Sequence, residues 1–174
     1  MYGAKLNYIQ GKKIMMKEVE GDILLSKSQA LAHGVSIDDD FKSGLSLQLK
    51  VQWPALFKDF RTFCSSQSPK VGDVWSWQAP GTPLIFNLIT QDAIRPDEKT
   101  PSKASIPNLQ LALRNLVKEL QRKKINSLAI TKIDTGLGGL DWKDVKVALQ
   151  SDLSHYEGQI SVYANYKSRV VAKE

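Results

Sequence analysis

The chain has few of the side chains that hold metal ions or form disulfides. Its 174 residues include one cysteine, Cys64, and two histidines. An intramolecular disulfide and a closed zinc site of cysteine and histidine ligands are therefore excluded. The sequence also lacks a long apolar run and the apolar segment of an N-terminal signal peptide. We expect no metal, no other cofactor, no membrane partner and a cytoplasmic location.

Two nucleotide-binding fingerprints, GxGxxG and GxxxxGK[ST], are also absent. The chain instead contains a strand–glycine loop–helix junction at residues 127–142, SLAITKIDTGLGGLDW, in which Asp141 is well placed to cap the helix. Glycines leave backbone N–H groups uncovered, and a helix N-terminus carries partial positive charge. The junction therefore suits a phosphate or diphosphate, with a purely structural turn as the alternative.

Length and charge set further bounds. We expect one domain over residues 1–174, with a core of about 14–165 and a polar, basic tail at 166–174 that frays. The formal net charge is +6, and the basic residues are spread along the chain. This charge predicts a non-specific, salt-sensitive attraction to nucleic acid without a recognition surface.

Strand and helix patterns alternate, which is typical of an α/β fold with a mixed sheet covered on both faces. Strands are predicted at residues 5–9, 14–20, 30–36, 73–78, 84–90, 127–132 and 159–164. Helices are predicted at residues 44–53, 54–65, 105–123 and 142–153, with Pro54 separating the first two. Residues 92–103, which include Pro96 and Pro101, are predicted to form an exposed loop.

Five short motifs follow one another along the chain: GDIL at 21–24, AHGVS at 32–36, KSGL at 42–45, LIT at 88–90 and the glycine loop at 132–142. In order and spacing they resemble the macrodomain family of ADP-ribose-binding modules, from about residue 15 to residue 163. The LIT and GLxxLxW motifs are most similar to the branch of terminal ADP-ribose protein glycohydrolases. The resemblance implies a three-layer α/β/α sandwich with the ligand cleft at the carboxyl ends of the central strands.

The resemblance also implies roles for individual residues. Asp22 accepts a hydrogen bond from the adenine amino group, with a turn former or helix cap as the alternative, and Ile23 adds a backbone contact. Ser36 touches the distal ribose, and Tyr163 lies beside the adenine or proximal ribose. One loop wraps the diphosphate, through Thr135, Gly136, Leu137 and Gly138. A second loop forms the opposite wall of the cleft, through Ser43, Gly44 and Leu45.

Two residues are weak catalytic candidates. His33 lies in an apolar strand, where a hydrogen-bonded core histidine is the usual finding. In the ADP-ribose 1″-phosphate phosphatase branch of the family, a histidine at the corresponding position is proposed to take part in catalysis. Asp40 belongs to a run of three carboxylates, Asp38–Asp40. One of them could orient a water, although a solvated acidic turn is the simpler interpretation.

The chain departs from the glycohydrolase branch where that branch keeps its catalytic lysine and aspartate. Gln91 and Gly138 stand at those positions, and neither can act as a nucleophile or an acid. Asp92 and Asp134 lie one and four positions away. We therefore predict a module that binds ADP-ribose or ADP-ribosylated protein. The alternative is a hydrolase of ADP-ribose 1″-phosphate, O-acetyl-ADP-ribose or a protein-linked ADP-ribosyl ester.

Overall fold

The computed structural model describes residues 7–9, 12–99 and 102–174, with backbone only for residues 7–9 and 12–14. Two short strands, β1 (Asn7–Ile9) and β2 (Lys12–Ile14), form an antiparallel pair. Part of the strand predicted at residues 5–9 lies outside the described residues. Over the described ranges, none of the helices is long and apolar enough to cross a bilayer.

Six strands form the central sheet: β3 (Met16–Gly21), β4 (Ala30–Ser36), β5 (Val74–Trp77), β6 (Leu84–Gln91), β7 (Ser127–Thr131) and β8 (Gln159–Tyr166). Their order across the sheet is β3-β8-β7-β4-β6-β5. All neighbouring pairs are parallel except β5 and β6, which form the predicted antiparallel hairpin. The mixed sheet is therefore confirmed, and the carboxyl ends of five parallel strands meet at one edge.

Helices cover both faces of the sheet, which confirms the three-layer α/β/α arrangement. A short 3₁₀ helix, Ile23–Leu25, follows β3. Helices α1 (Gly44–Gln52) and α2 (Pro54–Gln67) cover one face through an aromatic cluster that includes Phe41 and Phe60. Helices α3 (Ile106–Arg122) and α4 (Trp142–Asp152) cover the other through a larger aliphatic cluster. The central strands are therefore buried on both faces and mostly apolar, with His33, Asn87 and Thr90 as buried polar residues.

Local signals in the sequence account for where the helices begin. Ser105 caps α3 by accepting a hydrogen bond from the Asn108 amide at 3.3 Å. Asp141 caps α4, as predicted, by accepting from the Lys143 amide at 2.7 Å. Pro54 opens α2 directly after Trp53, the single residue that separates α1 from α2.

Residues 167–174, here called the C-terminal segment, lie against β3 and β8. The Val170 carbonyl accepts from the Asp22 amide at 2.8 Å, and the Lys167 amide donates to the Gly21 carbonyl at 3.1 Å. A Cβ placed on Gly21 would lie 2.7 Å from the Val170 carbonyl oxygen, so glycine permits this close approach. Glu174 accepts hydrogen bonds from Ser26, Lys27, Ser28 and Tyr163.

Candidate functional site

Two loops leave the sheet side by side at its carboxyl edge. The first loop, residues 37–43, follows β4, and the glycine loop, residues 132–141, follows β7; β4 and β7 are parallel neighbours. Open α/β sheets bind ligands at this edge, where loops from adjacent strands face each other. The candidate site is therefore formed by these loops and by the ends of β3 and β6.

The glycine loop is held in shape by its own backbone. The Thr135 hydroxyl donates to the Lys132 carbonyl at 2.7 Å, and the Leu140 amide donates to the Asp134 carbonyl at 2.9 Å. The Gly139 amide donates to the Gly136 carbonyl at 3.1 Å, and Gly139 has φ +75°, a conformation that favours glycine. The Thr135 hydroxyl is thus already used within the loop.

Three consecutive amides in this loop remain unpaired. Within the described part of the chain, the N–H groups of Gly136, Leu137 and Gly138 donate no hydrogen bond. A Cβ placed on Gly136 would meet no atom within 4 Å, and the Leu137 side chain is 86% exposed. Unpaired amides in an open loop form a ready site for an anion such as a phosphate group.

The first loop is anchored by a buried aromatic ring. Phe41 is fully buried between Phe57 and Phe60 although its φ is +52°. The Asp39 carboxylate accepts from the Phe41 amide at 2.8 Å, and Asp38 accepts from the amide of Ile94 beyond β6 at 2.9 Å. Burial raises the pKa of the Asp39 carboxyl. Two members of the acidic run thus fix the loop.

The start of α1 faces the same edge. Ser43 occupies the N-cap position, yet its side chain makes no capping bond. Gly44 has φ +57° and open space where a Cβ would stand. Leu45 packs against a small cluster that contains Ile23 and Tyr163. The fold therefore brings Ile23, Leu45 and Tyr163 together next to an uncapped helix N-terminus, which is favourable for negative charge.

Asp22 follows β3 and is buried at the same edge. Its Oδ1 accepts from the Leu24 amide and its Oδ2 from the Arg169 amide, both at 3.1 Å. Tyr163 lies beneath the C-terminal segment, where its hydroxyl donates to Glu174 at 3.1 Å. Burial is the largest cause that raises the pKa of Tyr163, to about 12. Both residues, expected at the adenine, thus contact the C-terminal segment.

Ser36 and Gln91 end two neighbouring strands. They are register partners, and Ser36 is buried. The Gln91 side chain donates to the carbonyl of Ser102 at 2.9 Å, and the backbone carbonyl of Gln91 accepts from the Ile37 amide at 3.3 Å. Gln91 therefore ties the loop after β6 to the first loop, at the end of the cleft where we expect the distal ribose.

His33 and Asp40 lie in very different surroundings. His33 is buried, its Nε2 is 2.7 Å from Oδ1 of Asn87, and its ring stands edge-on to Phe41. Burial lowers the pKa of His33 to about 4, so the imidazole is neutral near pH 7. Asp40 is exposed and pairs with Lys42 at 2.8 Å, and this contact lowers the pKa of Asp40. This geometry favours a structural role for His33 and a solvated pair for Asp40.

Asp134, like Asp92, lies near a departure from the glycohydrolase branch, and the sequence does not indicate where either side chain points. Oδ1 of Asp134 accepts from the Thr90 hydroxyl at 2.9 Å, while Oδ2 is buried without a partner among the described residues. Burial raises the pKa of Asp134 to about 6. Its φ is +58°, and a Cβ placed on Gly138 would lie 2.9 Å from the Asp134 Cβ. The signal in the sequence is a carboxylate shortly after an apolar strand, near the start of the glycine loop.

Comparison with known proteins identifies the family. The Macro domain family model matches residues 42–149, which is more than half of the chain. The chain therefore belongs to the macrodomain family, and the prediction made from its motifs is confirmed.

Curated relatives share part of their length with this chain. A DNA ADP-ribosyl glycohydrolase of Mycobacterium tuberculosis is 28% identical over 134 residues, covering 75% of this chain and 36% of the relative. An ADP-ribose glycohydrolase of Homo sapiens is 24% identical over 146 residues, covering 83% of this chain and 88% of the relative. The chain thus spans about a third of the length of the bacterial relative.

Solved structures agree with the fold. The macrodomain of Mycobacterium tuberculosis DarG superposes with a TM-score of 0.77 at 23% identity, covering 86% of this chain and 97% of that one. Thermosipho africanus DarTG in complex with ADP-ribose gives a TM-score of 0.76 at 21% identity, covering 87% of this chain and 41% of that one. At these identities the likeness establishes the fold.

Proposed function

We propose that the chain binds ADP-ribose, free or attached to a macromolecule, in the cleft between the first loop and the glycine loop. The observation that carries this proposal is the run of unpaired amides at Gly136, Leu137 and Gly138 beside the uncapped start of α1. Both features stabilise negative charge, and a diphosphate spans two such sites. Membership of the macrodomain family supports the same ligand.

The remaining parts of ADP-ribose are assigned by position along the edge. Asp22 and Ile23 follow β3, and we propose that they recognise the adenine, with Tyr163 in support. Ser43, Gly44 and Leu45 form the wall opposite Thr135–Gly138. Ser36, which ends β4 beside Gln91, is proposed to contact the distal ribose.

Calorimetry with ADP-ribose tests this proposal. We expect a dissociation constant in the micromolar range, equivalent to about −8 kcal/mol at 1 μM, and weaker binding of AMP because it lacks the distal half. If millimolar ADP-ribose titrated into the protein releases no more heat than the same ligand titrated into buffer, the proposal is contradicted. Because the charge of +6 attracts polyanions, the titration should be repeated at two salt concentrations.

We propose a second function, hydrolysis of an ADP-ribosyl linkage, on a separate observation. Asp134 supplies a buried carboxyl at the cleft, although Gln91 and Gly138 stand where the glycohydrolase branch has its lysine and aspartate. Relatives from bacteria and human are glycohydrolases by name. The substrates to compare are an ADP-ribosylated DNA oligonucleotide, a glutamate-linked ADP-ribosyl protein, ADP-ribose 1″-phosphate and O-acetyl-ADP-ribose. Release of ADP-ribose from any of these substrates, or of inorganic phosphate from ADP-ribose 1″-phosphate, would distinguish an enzyme from a binding module.

A further inference from the structure

Asp134 lies near the carboxyl ends of three neighbouring strands, β7, β4 and β6. Its backbone follows β7, its Oδ1 accepts from Thr90 near the end of β6, and a Cβ on Gly34 of β4 would collide with that same oxygen. The missing side chain of Gly34 therefore leaves the space that the carboxyl group fills. Asp134 is thus fixed beneath the point where the first loop and the glycine loop both leave the sheet.

The second carboxyl oxygen has no internal use. Oδ2 of Asp134 is buried and, within the described residues, has no hydrogen-bond partner. A buried acceptor without a donor costs free energy, so a water or a ligand hydroxyl that donated to it would be held firmly. The groups that β4 and β6 present to the carboxyl are Gly34 and Thr90, and Gly138 of the glycine loop lies against the backbone and Cβ of Asp134; none of the three titrates.

The acid–base properties of this carboxyl suit proton transfer. Burial raises the pKa of Asp134 to about 6, and the hydrogen bond from Thr90 opposes the rise; no charged side chain of the described residues contributes. A general base works best when its pKa is near the working pH. The other two candidates are less suited, since His33 is bound to Asn87 within the core and Asp40 is paired with Lys42 in solvent.

We infer that Asp134 is the general base that activates water for hydrolysis, an inference that rests on the second function proposed above. The carboxylate takes a proton from water while the water oxygen bonds to C1″ of the distal ribose. The bond from C1″ to the leaving oxygen or nitrogen breaks, and that atom keeps the electron pair. The proton then passes from Asp134 to the leaving atom, so one water is consumed and the carboxylate is restored.

The test compares wild type with Asp134→Asn, which keeps the size of the side chain and an oxygen for Thr90. With the ADP-ribosylated DNA oligonucleotide and the glutamate-linked ADP-ribosyl protein, we expect turnover to fall by about 10²–10⁴-fold. The dissociation constant for ADP-ribose should stay within about threefold, and the melting temperature at pH 7.5 should not fall. The inflection of kcat near pH 6 should disappear in the residual activity.

Three further variants separate chemistry from structure. Asp152→Asn is the matched control, because Asp152 on α4 also has a buried, unpaired Oδ2 and binds Arg114 through Oδ1 at 3.1 Å, outside the cleft. Thr90→Val removes the donor to Asp134 and should move the kcat inflection to higher pH. Thr90→Ser retains the hydroxyl and should leave it in place.

Three results would overturn the inference. Asp134→Asn could keep wild-type turnover, or it could lose binding and thermal stability together, as expected for a structural residue. Wild type could also bind ADP-ribose without cleaving either substrate. The last result would remove the hydrolytic function and this inference while leaving the binding proposal intact; absence of binding would remove the binding proposal itself.

Discussion

The backbone amide of Arg169 donates a hydrogen bond to Oδ2 of Asp22 at 3.1 Å, across 147 positions of sequence. The other oxygen of Asp22 accepts from Leu24 at the same distance. The carboxylate is therefore held from both sides, and each oxygen retains capacity for another donor. The C-terminal segment thus fixes the side chain to which we assign the adenine.

This contact predicts that Arg169 affects ligand binding through its backbone. Arg169→Pro removes the N–H group and cannot adopt φ +59°, whereas Arg169→Gly keeps the N–H and suits that conformation. We expect the proline variant to bind ADP-ribose about 3- to 10-fold more weakly, since an ordered acceptor is lost, and the glycine variant to bind like wild type. Calorimetry with ADP-ribose on both variants and on wild type measures the difference in dissociation constant. Tighter binding by the proline variant would instead mean that the segment competes with the base.

The carboxylate itself should contribute more than its support. Asp22→Ala removes the proposed adenine acceptor and should weaken ADP-ribose binding by roughly 1–3 kcal/mol. Asp59→Ala is a suitable control, because Asp59 lies on α2, accepts from the Trp77 indole at 2.8 Å and is not among the residues assigned to the ligand. An Asp22→Ala variant that binds as well as wild type would show that the adenine is recognised elsewhere.

The glycine loop gives a third prediction. A side chain on Gly136 would meet no protein atom within 4 Å, so Gly136→Val should fold, yet its branched side chain would cover the neighbouring amides. We expect ADP-ribose binding to be lost with little change in melting temperature. Gly81→Ala, in the turn between β5 and β6, is the control for binding: it has equally open space, but its φ of +76° predicts a lower melting temperature with no loss of binding. If Gly136→Val binds normally, the diphosphate lies elsewhere and the loop is structural.

The parts of the fold that the sequence predicted are those set by local patterns. Apolar strands, the stripe of α3 and the cap at Asp141 depend on neighbouring residues, and they appear where expected. Strand ends differ by a few residues: β3 begins at Met16 rather than residue 14, and β8 continues to Tyr166 rather than residue 164. Such ends depend on pairing with distant strands.

In the candidate site, too, the features that depend on neighbouring residues were predictable from the sequence. The open amides of the glycine loop follow from its glycines, and the start of α1 follows from Ser43 and Gly44. The direction of Asp134 was not predictable, since it depends on Thr90 and Gly34 from two other strands. The burial of Phe41 and the contact of Arg169 with Asp22 likewise arise only when distant segments pack together.

His33 gives a prediction for acid stability. Its pKa is about 4 in the folded protein against 6.5 as the ordinary value, so the unfolded chain binds more protons between these limits. The free energy of unfolding should therefore fall as pH drops from about 6.5 to 4, by roughly 1–3 kcal/mol. His33→Gln, which can still donate to Asn87, should flatten this dependence in urea unfolding. His155→Gln at the exposed second histidine is the control; an unchanged slope in His33→Gln would contradict the prediction.

Asp134 should act on stability with the opposite sign. Its pKa is about 6 when folded against an ordinary 3.8, so the folded protein binds more protons in this interval. The stability that the protonated carboxyl provides is complete below about pH 4 and is lost as pH rises through 6. Asparagine does not titrate, so Asp134→Asn should be more stable than wild type at pH 7.5, by roughly 1–3 kcal/mol, but not at pH 4. Urea unfolding of both proteins at the two pH values measures the difference. A variant less stable than wild type at pH 7.5 would show that the ionised carboxylate holds the glycine loop in place, and that its burial is compensated by a donor other than Thr90.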